Sequence, residues 1–160
     1  IFIYNYMKVL IFDLDDTLLM SNSYKRYSDI QPKYHLNYLL DKYKNKKFIY
    51  TNGTYGHGEE SLSAMKCKEN FQKIYARDTL PYIKPDFKSF NHVNNDILYN
   101  YNLSDKRIFF DDLQDNLKTA HDIGWETVWI HPHAKYYSKP NYVDHAYTNV
   151  IYALYSIDLN

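Results

Sequence analysis

The fold is decided by residues 8–18, which read KVLIFDLDDTL. Residues 8–12 form an apolar run that ends at a cluster of acids, which is typical of a buried strand. From this strand onward, short apolar runs alternate with segments of helical spacing. This alternation predicts an α/β fold, a three-layer Rossmann-like parallel sheet with helices on both faces.

Apolar spacing and turn residues predict the individual elements. Strands are predicted at residues 8–12, 47–50, 71–76, 107–110 and 127–130 and near Ala146. Helices are predicted at residues 33–46, 59–68, 86–101, 113–123 and 149–157. Residues 18–32 are mostly polar and are predicted to be a loop, which we call the flap.

Length and composition indicate one ordinary globular domain over residues 1–160. The apolar fraction of 45% and the charged fraction of 24% are near the globular average. Nineteen basic and 19 acidic residues give a net charge of zero, which disfavours a general nucleic-acid binder. Because Cys67 is the only cysteine, we expect no disulfide partner.

The sequence also predicts a cytoplasmic protein without a membrane partner. Asp13 interrupts the longest apolar stretch, and residues 1–6 lack the features of a signal peptide. Met7 is a candidate for the native start, because strand-like residues begin just after it. Abundant tyrosine, lysine, asparagine and isoleucine indicate an AT-rich genome, such as that of a giant virus, a low-GC bacterium or a protist. For a virus, the location would be the host cytoplasm.

Polar side chains follow the predicted strands at their carboxyl ends, where parallel sheets form their sites. Asp13 and Asp15 follow the first strand, Thr51 the second, and Asp111 and Asp112 the fourth. Carboxylates this close in sequence repel one another unless a cation lies among them, and Mg²⁺ prefers such hard oxygens. One carboxylate can attack phosphorus while another protonates the leaving oxygen. The simpler alternative is an acidic turn that caps a helix.

Four short motifs occur in order along the chain. They are LIFDLDDTL at residues 10–18, IYTNG at 49–53, Lys84-Pro85, and FFDDLQDN at 109–116. Together they resemble the motifs of the haloacid dehalogenase (HAD) superfamily, and the resemblance covers about residues 8–130. Within the superfamily, the chain most resembles the pyrimidine 5′-nucleotidase-like group.

The resemblance implies a catalytic or phosphate-binding role for five residues. Asp13 would be the nucleophile that forms an aspartyl-phosphate, and Asp15 would be the general acid/base. Lys84 would neutralise the phosphoryl group. Thr51 would bind phosphate through its hydroxyl, and Asn52 through its backbone N–H.

The resemblance also implies a Mg²⁺ cofactor. Its ligands would be Asp13, the backbone carbonyl of Asp15, and Asp112, with Asp111 close behind or acting through water. Two further matches would be supporting residues: Thr17, which would orient Asp15, and Asn116, which would help to hold the acidic loop.

The spacing of the motifs leaves no room for an inserted cap domain. Between Thr17 and Thr51 there are 33 residues, and the predicted helix at 33–46 leaves only the flap. Between Gly53 and Lys84 there are 30 residues, which one helix and one strand use up. We therefore expect a capless core with an open site.

An open site can be completed in two ways. Flap residues could contact the substrate, and the candidates are Ser21, Asn22 and Arg26. A homo-oligomer could instead close the site with a second subunit.

The sequence favours a Mg²⁺-dependent phosphatase that hydrolyses a phosphomonoester, with nucleotides among the candidate substrates. Two alternatives stay open. One is a phosphatase that acts on a phosphoprotein or a nucleic-acid end, and the other is a non-catalytic binding module on the same scaffold. Pyrimidine 5′-nucleotidases usually carry a helical cap, which is missing here, so nucleotide selectivity stays open as well.

Overall fold

The computed structural model describes residues 8–103 and 106–159. The expectations for residues 1–6 and Met7 lie outside the described residues. The strands are β1 Val9–Phe12, β2 Lys47–Tyr50, β3 Lys73–Tyr75, β4 Arg107–Asp111, β5 Glu126–Ile130 and β6 His145–Tyr147. The helices are α1 Tyr34–Lys42, α2 Tyr55–Ala64, α3 Phe87–Asn100, α4 Gln114–Asp122 and α5 Val150–Ser156. None of the described helices combines the length and apolar character needed to cross a membrane.

All six strands pair in parallel, in the order β3-β2-β1-β4-β5-β6. The strand order reverses at β1, because β2 and β3 lie on one side of it and β4 to β6 on the other. The carboxyl ends of β1 and β4 therefore flank the point at which open α/β sheets bind ligands. The predicted parallel α/β architecture is confirmed.

Two hydrophobic cores cover the two faces of the sheet. Along β1, Leu10 and Phe12 belong to the core formed with α1, α2 and α5. Val9 and Ile11 belong to the opposite core, formed with α3 and α4. This alternation follows from the two-residue period of a strand. Since both faces are buried, the strands read as continuous apolar runs in the sequence.

Two predicted helices differ from the observed ones. The helix predicted at 59–68 begins four residues earlier, because Thr54 caps its first turn by accepting a hydrogen bond from the His57 N–H (3.2 Å). As a result, Cys67 lies in the turn after α2 rather than within the helix, and it is buried. Helix α1 ends at Lys42, before the predicted end at residue 46.

The flap, residues 18–32, contains two short 3₁₀ turns, Ser21–Ser23 and Tyr27–Asp29. Buried side chains near both of its ends, Leu19 and Ile30, anchor it in the core. In the described part of the chain, only the flap and α1 lie between β1 and β2, and only α2 and a short 3₁₀ turn lie between β2 and β3. Among the described residues the fold is therefore a parallel α/β core without a cap, as the motif spacing predicts.

Candidate active site

A pocket of about 240 Å³ lies at the carboxyl edge of the sheet. Its lining residues come from the ends of β1, β2 and β4 and from the loop before α3: Asp13, Asp15, Asp16, Thr51, Asn52, Gly53, Lys84, Asp112, Leu113 and Asn116. Two residues that the sequence assigns to the site, Thr17 and Asp111, are buried and do not line the pocket. The other residues of the predicted catalytic, phosphate-binding, metal and supporting sets line the pocket: Asp13, Asp15, Thr51, Asn52, Lys84, Asp112 and Asn116.

Lys84 joins the ends of β1 and β4. Its Nζ donates hydrogen bonds to the carboxylates of Asp13 (2.9 Å) and Asp111 (2.7 Å). The rings of Tyr50 and Phe109 lie 5.1 and 5.3 Å from the same nitrogen. Burial alone would lower the pKa of Lys84, but Asp111 and Asp13 outweigh it and raise that pKa above its ordinary value. The Lys84 ammonium group therefore stays charged between these two carboxylates.

Asp111 is fully engaged by protein donors. It accepts hydrogen bonds from Lys84, from the Leu113 N–H (2.8 Å) and, at both oxygens, from the Asn116 amide (3.1 and 3.0 Å). A carboxylate with this many protein partners has little capacity left for a ligand. Asp112, which lines the pocket, is the more accessible of the two acids.

The Asn52 side chain holds the backbone of Lys84. Its Oδ1 accepts from the Lys84 N–H (3.0 Å), and its Nδ2 donates to the Lys84 carbonyl (2.9 Å). Thr51 lies beside it, and its Oγ1 accepts a hydrogen bond from the Gly53 N–H (2.9 Å). Because that bond uses a lone pair, the hydroxyl hydrogen of Thr51 stays available as a donor.

His57 is the site residue that the sequence interpretation missed. Its Nε2 lies 2.9 and 3.0 Å from the two carboxylate oxygens of Asp15. The expected hydrogen bond from Thr17 to Asp15 is not formed, since the buried Thr17 hydroxyl has no hydrogen-bond partner among the described residues. The sequence signal for His57 would have been the capping residue Thr54, which places it in the first turn of α2.

The flap reaches this cluster through Tyr27, whose hydroxyl lies 2.9 Å from His57 Nδ1. None of the three flap residues proposed as substrate contacts lines the pocket. Ser21 donates hydrogen bonds to Asp16, Asn22 is exposed, and Arg26 is exposed and lies 3.4 Å from Asp29. A role for these three residues in binding substrate stays a prediction.

The site has the oxygen ligands and the excess negative charge that suit a divalent cation. Asp13 and Asp112 line the pocket and each offer a carboxylate oxygen, and an oxygen of the engaged Asp111 lies within 4.8 Å of both. When ionised, they carry three negative charges, and Lys84 supplies one positive charge, which leaves an excess of two. Carboxylate oxygens are the ligands that Mg²⁺ prefers. The residues present therefore fit the cation that the sequence predicts.

The pKa values of the carboxylates reflect the same crowding. Burial raises the pKa of Asp13 to about 8; Lys84 opposes this shift and Asp111 reinforces it. Burial, followed by the charge of Asp111, raises the pKa of Asp112 to about 6. A cation between these groups would favour their ionised forms.

Comparisons with known proteins agree with this architecture. A family model of haloacid dehalogenase-like hydrolases matches residues 19–130, well over half of the chain. The HAD hydrolase YfnB from Bacillus subtilis, in a magnesium-bound crystal structure, is similar at 15% identity and a TM-score of 0.68, over 93% of this chain and 97% of that one. A HAD phosphatase from Thermococcus onnurineus is similar at 16% identity and a TM-score of 0.63, over 92% and 96% of the two chains.

A dehalogenase structure is also similar, at 18% identity and a TM-score of 0.63. The match covers 78% of this chain but 54% of the dehalogenase, so the chain spans about half of that protein's length. No curated protein of similar sequence was found. At these identities the structural matches establish the fold, and the family model establishes the ancestry. The chain belongs to the family of haloacid dehalogenase-like hydrolases.

Proposed function

We propose that the protein is a Mg²⁺-dependent phosphatase that hydrolyses phosphomonoesters through an aspartyl-phosphate on Asp13. One observation carries the proposal: the Lys84 ammonium lies between the carboxylates of Asp13 and Asp111, with Asp112 alongside. Phosphoryl transfer depends on positioning and on charge neutralisation. This arrangement supplies both next to a carboxylate nucleophile.

The reaction would proceed in two steps. In the first, an Asp13 oxygen attacks phosphorus, the ester P–O bond breaks, and Asp15 gives its proton to the leaving oxygen. In the second, Asp15 takes a proton from water, the water oxygen attacks phosphorus, and the bond to Asp13 breaks. Inorganic phosphate leaves, and both carboxyl groups return to their starting states.

Besides the two reaction steps, the pocket residues have to bind the phosphate and the cation. Lys84 and the Thr51 hydroxyl contact the phosphate oxygens. Asp13, Asp112 and the Asp15 carbonyl would hold Mg²⁺, which would supply positive charge against the phosphate.

The charges of the pocket favour a phosphatase over a dehalogenase, although both activities occur among the similar structures. Displacing a halide requires neither a proton for the leaving group nor a divalent cation. A phosphomonoester uses Asp15 as a proton donor and Asp112 as a metal ligand.

The openness of the pocket favours a second candidate substrate class, a phosphate on a macromolecule. The Asp15 side chain is 35% exposed, and no cap lies over it in the described part of the chain. A phosphorylated protein segment or a nucleic-acid end could reach the same residues. A binding module without catalysis is disfavoured, because such a module needs no carboxylate nucleophile beside a charged lysine.

Turnover of p-nitrophenyl phosphate tests the proposal directly. Wild-type protein should hydrolyse it with Mg²⁺ and lose activity in excess EDTA. Asp13→Asn should reduce turnover to background, because an amide cannot form the acyl-phosphate. Acid quenching followed by mass spectrometry should find phosphate on the wild-type peptide that contains Asp13.

The matched control is Asp122→Asn, an exposed aspartate on α4 that pairs only with Lys118 in the described structure. That variant should keep wild-type turnover. Full activity of Asp13→Asn, or of wild-type protein in excess EDTA, would contradict the mechanism.

A further inference from the structure

We infer that His57 is a positioning residue for Asp15 and that Tyr27 of the flap positions His57 in turn. The inference rests on the proposed phosphatase function, in which Asp15 transfers a proton to the leaving oxygen. It adds a link between the flap and that proton transfer.

The first support is the geometry of the three side chains. His57 Nε2 lies 2.9 and 3.0 Å from the two oxygens of Asp15, and Nδ1 lies 2.9 Å from the Tyr27 hydroxyl. Once Asp15 has given its proton to the leaving oxygen, its carboxylate can only accept, so the His57 tautomer that holds it carries the hydrogen on Nε2. In the neutral ring Nδ1 is then the acceptor, and the Tyr27 hydroxyl donates to it. Each ring nitrogen thus has one defined partner.

The second support is that neighbouring residues confine the imidazole ring of His57. His57 lies in the first turn of α2, where the Thr54 hydroxyl accepts its backbone N–H. Gly53 packs closely against one side of the ring, since a Cβ added at this glycine would lie only 2.9 Å from His57 Cδ2. On another side, the centroid of the Tyr27 ring is 5.7 Å away. The ring is therefore confined, and its side chain is 19% exposed.

The third support is that Asp15 needs an external restraint. Its carboxylate is about one third exposed at the pocket mouth, and the Thr17 hydroxyl does not reach it. A carboxylate in that position would otherwise change rotamer freely. Small misplacements of a catalytic group are costly, so holding the Asp15 side chain in place should raise the rate of proton transfer. A donor that spans both oxygens also stabilises the carboxylate that forms when the proton leaves.

Two phosphate esters whose leaving groups differ in their need for a proton can distinguish a misplaced Asp15 from general damage to the site. p-Nitrophenyl phosphate releases a stable phenolate that needs little protonation, whereas glycerol phosphate releases an alkoxide that needs a proton. The second step is the same for both esters, so the comparison uses kcat/KM, which reports the first step. His57→Ala should lower kcat/KM on glycerol phosphate by about 10–100-fold, less than the roughly 10²–10⁴-fold attributed to a general acid itself. The value of kcat/KM on p-nitrophenyl phosphate should change little.

Conservative variants refine the test. His57→Gln places an amide nitrogen near the position of Nε2 and should recover most of the lost rate. Tyr27→Phe removes only the hydroxyl and should act in the same direction with a smaller effect. An equal loss of kcat/KM on both esters, or no recovery with His57→Gln, would overturn the inference.

The chain contains a matched control for these substitutions. His35 on α1 and Tyr155 on α5 form another histidine–tyrosine hydrogen bond (2.7 Å), and neither residue lines the pocket. His35→Ala and Tyr155→Phe should therefore leave the ratio of the two ester rates unchanged. A shifted ratio in these controls would mean that the assay reports general loosening, and the inference would be overturned.

A spectroscopic measurement separates this inference from the proposed function. Histidine-selective ¹⁵N spectra of the full chain should show a hydrogen on His57 Nε2, and the His57 signals should shift in Asp15→Ala and in Tyr27→Phe. If the wild-type protein hydrolyses neither ester, the phosphatase proposal fails, and these spectra still decide whether His57 bonds to Asp15. A His57 ring that responds to neither substitution would overturn the inference.

Discussion

At the scale of single residues, the chemistry of the pocket depends on one ammonium group between two buried carboxylates. Asp111 holds the Lys84 side chain, and Asn52 holds its backbone through two hydrogen bonds. Both restraints act before any substrate binds, so the positive charge needs no reorganisation during the reaction. Asn52 thus has a structural role in addition to the phosphate contact that the sequence predicts.

Residues that lie directly after strands could be predicted, and the reason is geometric. The strand ends fix where Asp13, Thr51 and Asp112 point, because parallel strands end at a common edge. Lys84 could be predicted only from the resemblance, since its partner Asp13 is 71 residues away. His57 could not be predicted, because no spacing rule connects it to Asp15.

The carboxylate pKa values predict that Mg²⁺ stabilises the fold more at high pH than at low pH. The pKa of Asp13 is raised to about 8 and that of Asp112 to about 6, both from 3.8. Without metal, the folded protein keeps protons that the unfolded chain has lost, so the contribution of these groups to stability falls as pH rises from about 4 to about 8. Mg²⁺ binds the ionised forms and should offset this loss.

Thermal unfolding with and without Mg²⁺ measures the effect. The increase in Tm caused by Mg²⁺ should be small near about pH 5 and largest near about pH 8, because both acids must release protons to bind the metal. Asp112→Asn should remove most of the increase. An increase of equal size at both pH values would contradict the assignment of these acids as ligands.

At the scale of elements, helix α2 shows where the sequence interpretation was insufficient. Two glycines in its first turn, Gly56 and Gly58, disfavour a helix and favour a later start. Gly58 is nevertheless buried against Ile74, where a Cβ would lie 3.2 Å from the isoleucine side chain. Packing against β3 outweighs the local propensity. The early start places His57 beside Asp15.

The turn between β2 and α2 predicts a catalytic defect in Gly53→Ala. The new Cβ would lie 2.9 Å from His57 and 3.2 Å from the Thr51 hydroxyl, so at least one of these side chains must move. Overpacking of this kind costs about 1–3 kcal/mol when it cannot relax. We expect kcat to fall by about tenfold or more, since positioning errors near 1 Å are costly.

Gly56→Ala is the matched control, because it lies in the first turn of the same helix and its new Cβ would have no atom within 4 Å. It should leave kcat unchanged and stabilise the protein by about 0.5–1 kcal/mol through helix propensity. Steady-state kinetics and chemical denaturation measure the two effects. Equal behaviour of the two alanine variants would show that the turn is not tightly packed around the site.

At the scale of the whole molecule, motif spacing predicts the fold and the missing cap but not the substrate. The fold follows from strand alternation, and the cap is missing because the connections on both sides of Thr51 are short. Substrate choice depends on the protein surface around the pocket, and no sequence pattern predicts the shape of that surface. A second subunit that closes the pocket stays a prediction, which sedimentation can test.

The open pocket predicts weak discrimination among free nucleotides by a monomer. With no cap among the described residues, few groups are available to contact the base. Values of kcat/KM for the common ribonucleoside monophosphates should lie within about tenfold of one another, because discrimination requires built contacts. Strong preference for pyrimidine over purine monophosphates by a monomer would contradict this and favour a pyrimidine 5′-nucleotidase.

The wide sequence separation of the pocket residues has a consequence for biosynthesis. Lys84 bonds to Asp13 across 71 residues and to Asp111 across 27, so the two bonds exist together only after β4 has paired with β1. A nascent chain on the ribosome would therefore be inert while Asp13 is already exposed to the cell. If the proposed activity is correct, phosphate release would begin only after β4 has joined the sheet, so turnover would report the pairing of β4 with β1.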